Sequence, residues 1–278
     1  MAKQLLGKPV ADRIKEKLAA EVANRKQQGK ALGFAAVRVG DDPASMVYQG
    51  RLIKAAEALG LEPVEISLPE SSTESEVILK LTDLGNDDKI AGILLFMPLP
   101  KGLDSEKISC SIPMEKDVDC LNPFNFGQVM AGKSPWGPCT ARAVMEMLDF
   151  YEYDLHRKNV VVVGRSDVVG RPVSQMLLNK NATVTICHSR TEDLAFHTKS
   201  ADLVVMAAGQ ANLLTGDMLK PGAWVIDVGI NVAPSGEGIV GDADFSSCDS
   251  VCEAISPVPG GVGAVSVTMV MQTLLCRE

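Results

Sequence analysis

The stretch Asn159-Val160-Val161-Val162-Val163-Gly164-Arg165-Ser166-Asp167-Val168-Val169-Gly170-Arg171-Pro172 decides the fold. Four consecutive valines make a short strand buried on both faces, and the glycine after them turns the backbone sharply. Val168 to Leu178 then carries apolar residues at helical spacing, so the unit reads strand, tight turn, helix. A turn of this kind aims helix N-terminal N–H groups at one point, where a phosphate is the natural guest. The spacing Gly164-x-Ser166-x-x-x-Gly170 departs from the common Gly-x-Gly-x-x-Gly. Taken alone, it also suits an α/β domain that binds nothing.

Outward from this unit the pattern alternates strand and helix. Strand-like runs stand at 34–39, 64–68, 90–96, 160–163, 183–187, 203–207 and 224–228. Amphipathic stretches at 10–27, 44–59, 74–84, 142–150, 169–178 and 192–199 lie between them. Such alternation predicts an α/β protein with parallel sheets and helices on both faces. The Pro/Asn/Gly-rich segment from Asn122 to Pro138 marks a boundary. It predicts an N-terminal α/β catalytic domain over 1–121 and a Rossmann-like nucleotide domain over 122–263. The apolar tail 264–278 is expected to return as a helix onto the first domain.

The chain has 278 residues, 46% of them hydrophobic, enough for two cores. A formal charge of −8 without any basic block argues against a nucleic-acid partner. The N-terminus lacks the apolar core of a signal peptide, and the longest apolar run, 91–99, is far too short to span a bilayer. A cytoplasmic protein is expected. Seven scattered cysteines and three histidines offer no set at ligand spacing, so no metal site is predicted.

The second strand of the nucleotide unit ends in His188-Ser189-Arg190-Thr191. NAD sites usually place Asp or Glu there for the ribose 2′-hydroxyl; Ser189 and Arg190 favour a 2′-phosphate instead. Arg165 in the turn could add a charge-assisted contact. NADP is therefore the expected cofactor, although Ser189 and Arg190 also suit a capped, solvated turn. His188 is expected to serve that turn structurally.

Eight blocks stand in order along nearly the whole chain: Asp42-Pro43-Ala44-Ser45 leading to Tyr48; Pro98-Leu99-Pro100; Lys116-Asp117-Val118-Asp119; Pro138-Cys139-Thr140; Val163-Gly164-Arg165-Ser166; Cys187-His188-Ser189-Arg190-Thr191; Asp227-Val228-Gly229-Ile230-Asn231; and Pro257-Val258-Pro259-Gly260-Gly261-Val262-Gly263. With these the chain resembles the methylenetetrahydrofolate dehydrogenase/cyclohydrolase family. The resemblance implies two domains with folate and NADP meeting in the cleft between them, and usually a homodimer. It implies oxidation of 5,10-methylenetetrahydrofolate by NADP⁺, then hydration of the methenyl product to 10-formyltetrahydrofolate. It implies Tyr48 against the folate ring and Asp119 on the pterin N–H groups, as catalytic residues. Leu52, Met97, Pro98, Leu99, Gly260 and Gly261 would line the substrate. Gly164, Arg165, Ser166, Gly170, Ser189, Arg190 and Ile230 would line the cofactor.

The chain departs from the family at its catalytic block. The family has a lysine four residues after the tyrosine, one helical turn on and so on the same face; here Leu52 stands there. Of the nearby cations, Lys54 falls nearly opposite Leu52 on a helix, at about 100° per residue. Arg51 carries a guanidinium that cannot act as a general base. The family's glutamine before Pro-Leu-Pro is replaced by Met97, and Cys120, Ala141, Ala143 and Ala264-Val265-Ser266 also differ. Hydration needs proton transfers, worth about 10²–10⁴-fold in rate; hydride transfer mainly needs alignment. The expectation is a dehydrogenase whose cyclohydrolase activity is weak or lost. Two alternatives stay open: a complete bifunctional enzyme using another group, and a non-catalytic NADP-binding paralogue.

Overall fold

A computed structural model describes residues 1–276. In chain order the elements are β1 (Lys3–Gln4), α1 (Gly7–Gln27), β2 (Gly33–Val39), α2 (Pro43–Leu59), β3 (Glu62–Leu68), α3 (Glu74–Asn86), β4 (Ile90–Leu95), α4 (Ser105–Cys110), α5 (Pro123–Met130) and α6 (Cys139–Phe150). They continue with β5 (Asn159–Val163), α7 (Gly170–Asn179), β6 (Thr183–Cys187), α8 (Leu194–Thr198), β7 (Leu203–Met206), β8 (Trp224–Asp227), β9 (Asn231–Val232), β10 (Ile239–Val240), α9 (Phe245–Asp249), β11 (Ala254–Ile255) and α10 (Val262–Cys276). Among the described residues no helix is long and apolar enough to cross a membrane.

The chain divides into two units, one of Met1–Asp12 with Thr140–Ser266 and one of Arg13–Cys139 with Val267–Glu278. The first is built on a parallel sheet in the order β1-β11-β8-β7-β5-β6. The valine run forms β5 inside this sheet, where Val160 to Val163 are all buried, while β6 at the edge is largely exposed and buries only Cys187. Val161, Val163, Val204, Met206 and Val225 share one core with Cys187, Cys248 and Cys252, so these thiols serve packing.

The second unit carries a parallel sheet in the order β3-β2-β4. Central β2 is buried throughout, as expected for a strand covered on both faces. Helix α2 starts sharply: Asp42 accepts the Ser45 N–H at 2.8 Å and Pro43 opens the first turn. It stops at Gly60 in the left-handed region, φ 80°. That puts Tyr48 and Leu52 in its middle, with rigid backbone on both sides.

The domain limits expected from composition are corrected at both ends. Residues 1–12 join the six-stranded unit because β1 pairs with β11, Lys3 opposite Ala254. Residues 122–139 stay with the three-stranded unit, because buried Asp117 accepts the Leu121 and Asn122 N–H groups and the Asn125 amide. The tail from Val267 does belong to the three-stranded unit. There Arg25 Nε donates to the Leu275 carbonyl at 2.8 Å, and Gly92 leaves room for Leu274. Arg277 and Glu278, the end of the expected tail helix, lie outside the described residues. The helix expected at 192–199 is shorter, because Asp193 takes a left-handed φ of 44° and caps Phe196 from there.

Candidate active site

In the six-stranded unit the turn after β5 is made by close approach. Gly164 has φ 137°, and a β-carbon there would stand 2.1 Å from the Ala207 carbonyl oxygen. A β-carbon on Gly170 would stand 2.3 Å from the Gly164 carbonyl oxygen. Both positions therefore require glycine. Ser166 Oγ accepts the N–H groups of Val169 (3.2 Å) and Gly170 (3.4 Å), so its hydroxyl works first as a cap on α7. Arg165 points to solvent beside it.

The turn after β6 is closed by its own groups. The His188 N–H donates to Thr191 Oγ1 at 2.9 Å, and the Arg190 N–H to His188 Nδ1 at 3.1 Å. His188 is thus a scaffold for the turn, and the side chains of Ser189 and Arg190 stand exposed on it. The Gly164 N–H donates to the Cys187 carbonyl, which ties the two turns together.

A dinucleotide bearing a 2′-phosphate fits these residues. The two glycines let the turn fold tightly against the exit of β7 and the start of α7, and an exposed arginine stands in the turn after each strand. The β6 end offers no carboxylate until Glu192, past the closed turn. Residues Arg165, Ser189 and Arg190 would hold the phosphates, and Gly164, Ser166 and Gly170 would shape the turn at the start of α7 that faces them. Among the described residues no cluster could hold a metal ion.

Behind the turn lie two carboxylates that sequence reasoning did not single out. Asp227, at the end of β8, is buried and accepts the N–H groups of Gly229 (2.8 Å), Asp242 (3.1 Å) and Ala243 (2.8 Å). Burial pushes its pKa up to about 6, against the opposing pull of those N–H groups. Asp242, also buried, stands next to it. The signals were the block Asp227 to Asn231, in which only Ile230 was given a role, and the glycines at 229 and 241, whose role is visible once the carboxylates fill their missing β-carbons. Ile230, expected at the cofactor, is 62% exposed on the loop just after.

Gly260 and Gly261 lie in this unit too. The Gly7 N–H donates to the Gly260 carbonyl at 2.8 Å, and a β-carbon on Gly7 would stand 2.0 Å from the Gly261 oxygen. Close packing on the start of α1 thus accounts for part of this glycine run.

In the three-stranded unit Tyr48 is half-buried, its ring edge-on to Phe96 with centroids 5.9 Å apart. This joins the middle of α2 to the C-terminal end of β4. Leu52, one turn further on, is fully buried, while Arg51 and Lys54 are exposed. Gln49 beside Tyr48 donates to the Ala36 carbonyl and accepts from Arg38 Nε, pinning α2 to β2. After Phe96 the Met97–Pro98 bond is cis. Met97 and Leu99 pack on the sheet core, and Pro98 is exposed.

Asp119 arrives by a different route. Residues 117–118 run parallel to β4 through an Ile93–Asp117 bridge, so Asp119 emerges near the same strand end as Phe96. Its Oδ1 accepts the Cys139 N–H at 2.6 Å, which satisfies an open donor in the first turn of α6. Capping is therefore one established duty of Asp119.

Fold and turn define an α/β enzyme in which a dinucleotide-binding parallel sheet shares a chain with a second α/β unit. The catalytic-domain model of the tetrahydrofolate dehydrogenase/cyclohydrolase family matches residues 5–119, and the family's NAD(P)-binding domain matches 138–277. The chain belongs to this family. It is 44% identical over 271 residues to the bifunctional protein FolD of Acetivibrio thermocellus, covering 98% of this chain and 95% of that one. The bifunctional FolD dehydrogenase/cyclohydrolase structure from Campylobacter jejuni superposes with a TM-score of 0.95 at 40% identity, covering 99% and 98% of the two chains. The Trypanosoma brucei FolD structure, complexed with NADP cofactor and an inhibitor, gives 0.94 at 37% identity, covering 99% and 96%.

Proposed function

We propose that this chain oxidises 5,10-methylenetetrahydrofolate to the methenyl form with NADP⁺, and that its cyclohydrolase step is weak. Family membership carries the first half. The second rests on one observation: the position one turn after Tyr48 on α2 holds Leu52, fully buried and without a titratable atom.

Bound NADP⁺ supplies the hydride acceptor. The protein's part in this step is position. Tyr48, held by Phe96 and by the pinned Gln49, offers a flat apolar face and a hydroxyl to the folate. Asp119, anchored through Cys139, offers carboxylate oxygen to the pterin N–H groups. Pro98, Leu99 and Met97 line the apolar side of the same substrate, whereas Leu52, expected beside them, is fully buried in the packing under α2 and has no surface left to touch it. Nothing in hydride transfer requires a proton to move at α2.

Hydration of the methenyl carbon does require it. An attacking water must lose a proton, and the ring nitrogen must gain one. Leu52 and Met97 do neither. Arg51 is exposed and stays protonated at working pH.

The close relatives carry the name bifunctional, and this favours the second reading, a complete enzyme in which another group replaces the lysine. One time course separates the two. Purified protein is mixed with 5,10-methylenetetrahydrofolate and NADP⁺, and methenyl and NADPH absorbance are recorded together. NADPH with methenyl accumulating beyond spontaneous hydrolysis supports the first reading. NADPH without methenyl build-up establishes the second. The proposal also carries a homodimer in the cytoplasm; sedimentation of the purified chain tests the dimer, and fractionation of cells tests the location.

A further inference from the structure

Asp242 follows β10 and is completely buried. Its carboxylate takes four donors. Oδ2 accepts the backbone N–H groups of Ala208 (2.6 Å) and Gly209 (3.0 Å), and Oδ1 accepts the Gln210 N–H (2.9 Å) and the Asn231 side-chain amide (2.8 Å). Three successive backbone N–H groups turned onto one carboxylate form a nest. Gly209 makes the nest possible with its left-handed φ of 65°. Gly229 makes room for it, since a β-carbon there would stand 2.3 Å from Asp242 Oδ1. The Asp242 N–H in turn donates to Asp227 at the end of β8.

This arrangement ties together two loops that leave the same edge of the sheet. Residues 207–210 are the exit from β7, and Ala207 is the residue packed against Gly164. Residues 228–231 are the exit from β8. Ligands of open parallel sheets bind outside the carboxyl ends of the strands. The strand order β8-β7-β5-β6 then fixes which part of a dinucleotide lies where. With the 2′-phosphate end at Ser189 and Arg190 after β6 and the pyrophosphate at the Gly164 turn after β5, the other half extends over β7 and β8. A buried carboxylate costs far more than an apolar side chain unless its partners satisfy it. Four donors do so here, and the return is two loops held in one arrangement.

We infer that Asp242 is a positioning residue for the nicotinamide half of the cofactor, setting the β7 and β8 exit loops against which that half docks. The inference rests on the NADP-binding reading. It is tested by titrating NADP⁺ and adenosine 2′,5′-bisphosphate, which carries only the 2′-phosphate end, into wild type, Asp242→Asn and Asn231→Ala. The asparagine keeps the shape of Asp242 but replaces one acceptor oxygen with a donor. Asn231→Ala removes a single half-buried donor and covers the case in which Asp242→Asn does not fold.

The expected result is an NADP⁺ dissociation constant raised about tenfold or more in Asp242→Asn and several-fold in Asn231→Ala. The bisphosphate should bind all three proteins within about twofold, a pattern that a general loosening of the unit would not give. Equal weakening of both ligands, or unchanged NADP⁺ affinity in a folded variant, would overturn the inference. Failure of the wild type to bind either ligand would instead remove the NADP reading on which it rests.

Discussion

Gly164 and Ala207 approach so closely that a β-carbon on the glycine would stand 2.1 Å from the alanine's carbonyl oxygen. The phosphate turn after β5 and the exit of β7 are therefore one packed object. Gly164→Ala must both separate them and hold an alanine at φ 137°. A loss of about 2–3 kcal/mol of stability is expected, along with loss of NADP⁺ binding. Denaturant unfolding with and without NADP⁺ checks both, and an alanine variant that still gains stability from the cofactor would refute the role of this turn.

On the proposal that Leu52 and Met97 weaken hydration, placing polar groups at both positions should strengthen it. Leu52→Lys combined with Met97→Gln is expected to raise methenyl hydrolysis by about 10²-fold or more with little change in NADPH formation. Because Leu52 is fully buried, Leu52→Lys alone is expected to be less stable than wild type. No gain in hydrolysis from the folded double variant would count against Leu52 as the cause of a weak second step.

Arg190 stands exposed on a turn closed by His188 and Thr191, so truncating it leaves the turn intact. Arg190→Ala is expected to weaken NADP⁺ by about tenfold or more, the worth of a charge-assisted hydrogen bond, and to leave NAD⁺ affinity alone. Parallel titrations of the two cofactors measure the ratio. An equal loss for both would mean that Arg190 does not meet the 2′-phosphate.

Burial raises the Asp227 pKa to about 6 from an ordinary 3.8. Folding thus favours the protonated group. Its contribution is fully present below the unfolded value and is lost as the pH rises through about 6. Relative to Asp227→Asn, the stability of the wild type is expected to fall by about 2 kcal/mol between about pH 4 and pH 7. Urea unfolding of both proteins across that range gives the difference, and a flat difference would show that the shift is absent.

Much of this was legible from local pattern. The valines of β5, the helical spacing after Val168 and the alternation of strand and helix placed the dinucleotide unit, because strand and helix periodicities are short-range properties. Ser189 and Arg190 could be read because their position, the end of the second strand, is defined by the strand itself. The domain limits could not be read this way. The proline-rich segment at 122–138 looked like a linker, yet Asp117 binds its first residues to the sheet that precedes it. Two residues at the N-terminus carry no strand pattern at all, and they pair with residues near the other end of the chain.

The sequence by itself determined the two α/β units, the glycine turn between β5 and α7, the absence of an acidic residue directly after β6 on which the NADP expectation rests, and the apolar residue one turn after Tyr48. Each depends on residues within a few positions of one another, where backbone geometry converts spacing directly into direction. Only the tertiary structure decided that Asp119 caps α6 through Cys139, that Gly260 and Gly261 pack on Gly7, and that Asp227 and Asp242 lock the β7 and β8 exit loops. Those contacts join groups far apart in the chain, and a carboxylate's worth depends on which donors surround it when buried. No spacing in the sequence encodes that, because all but one of the donors, the Asn231 amide, are backbone N–H groups that every residue but proline possesses.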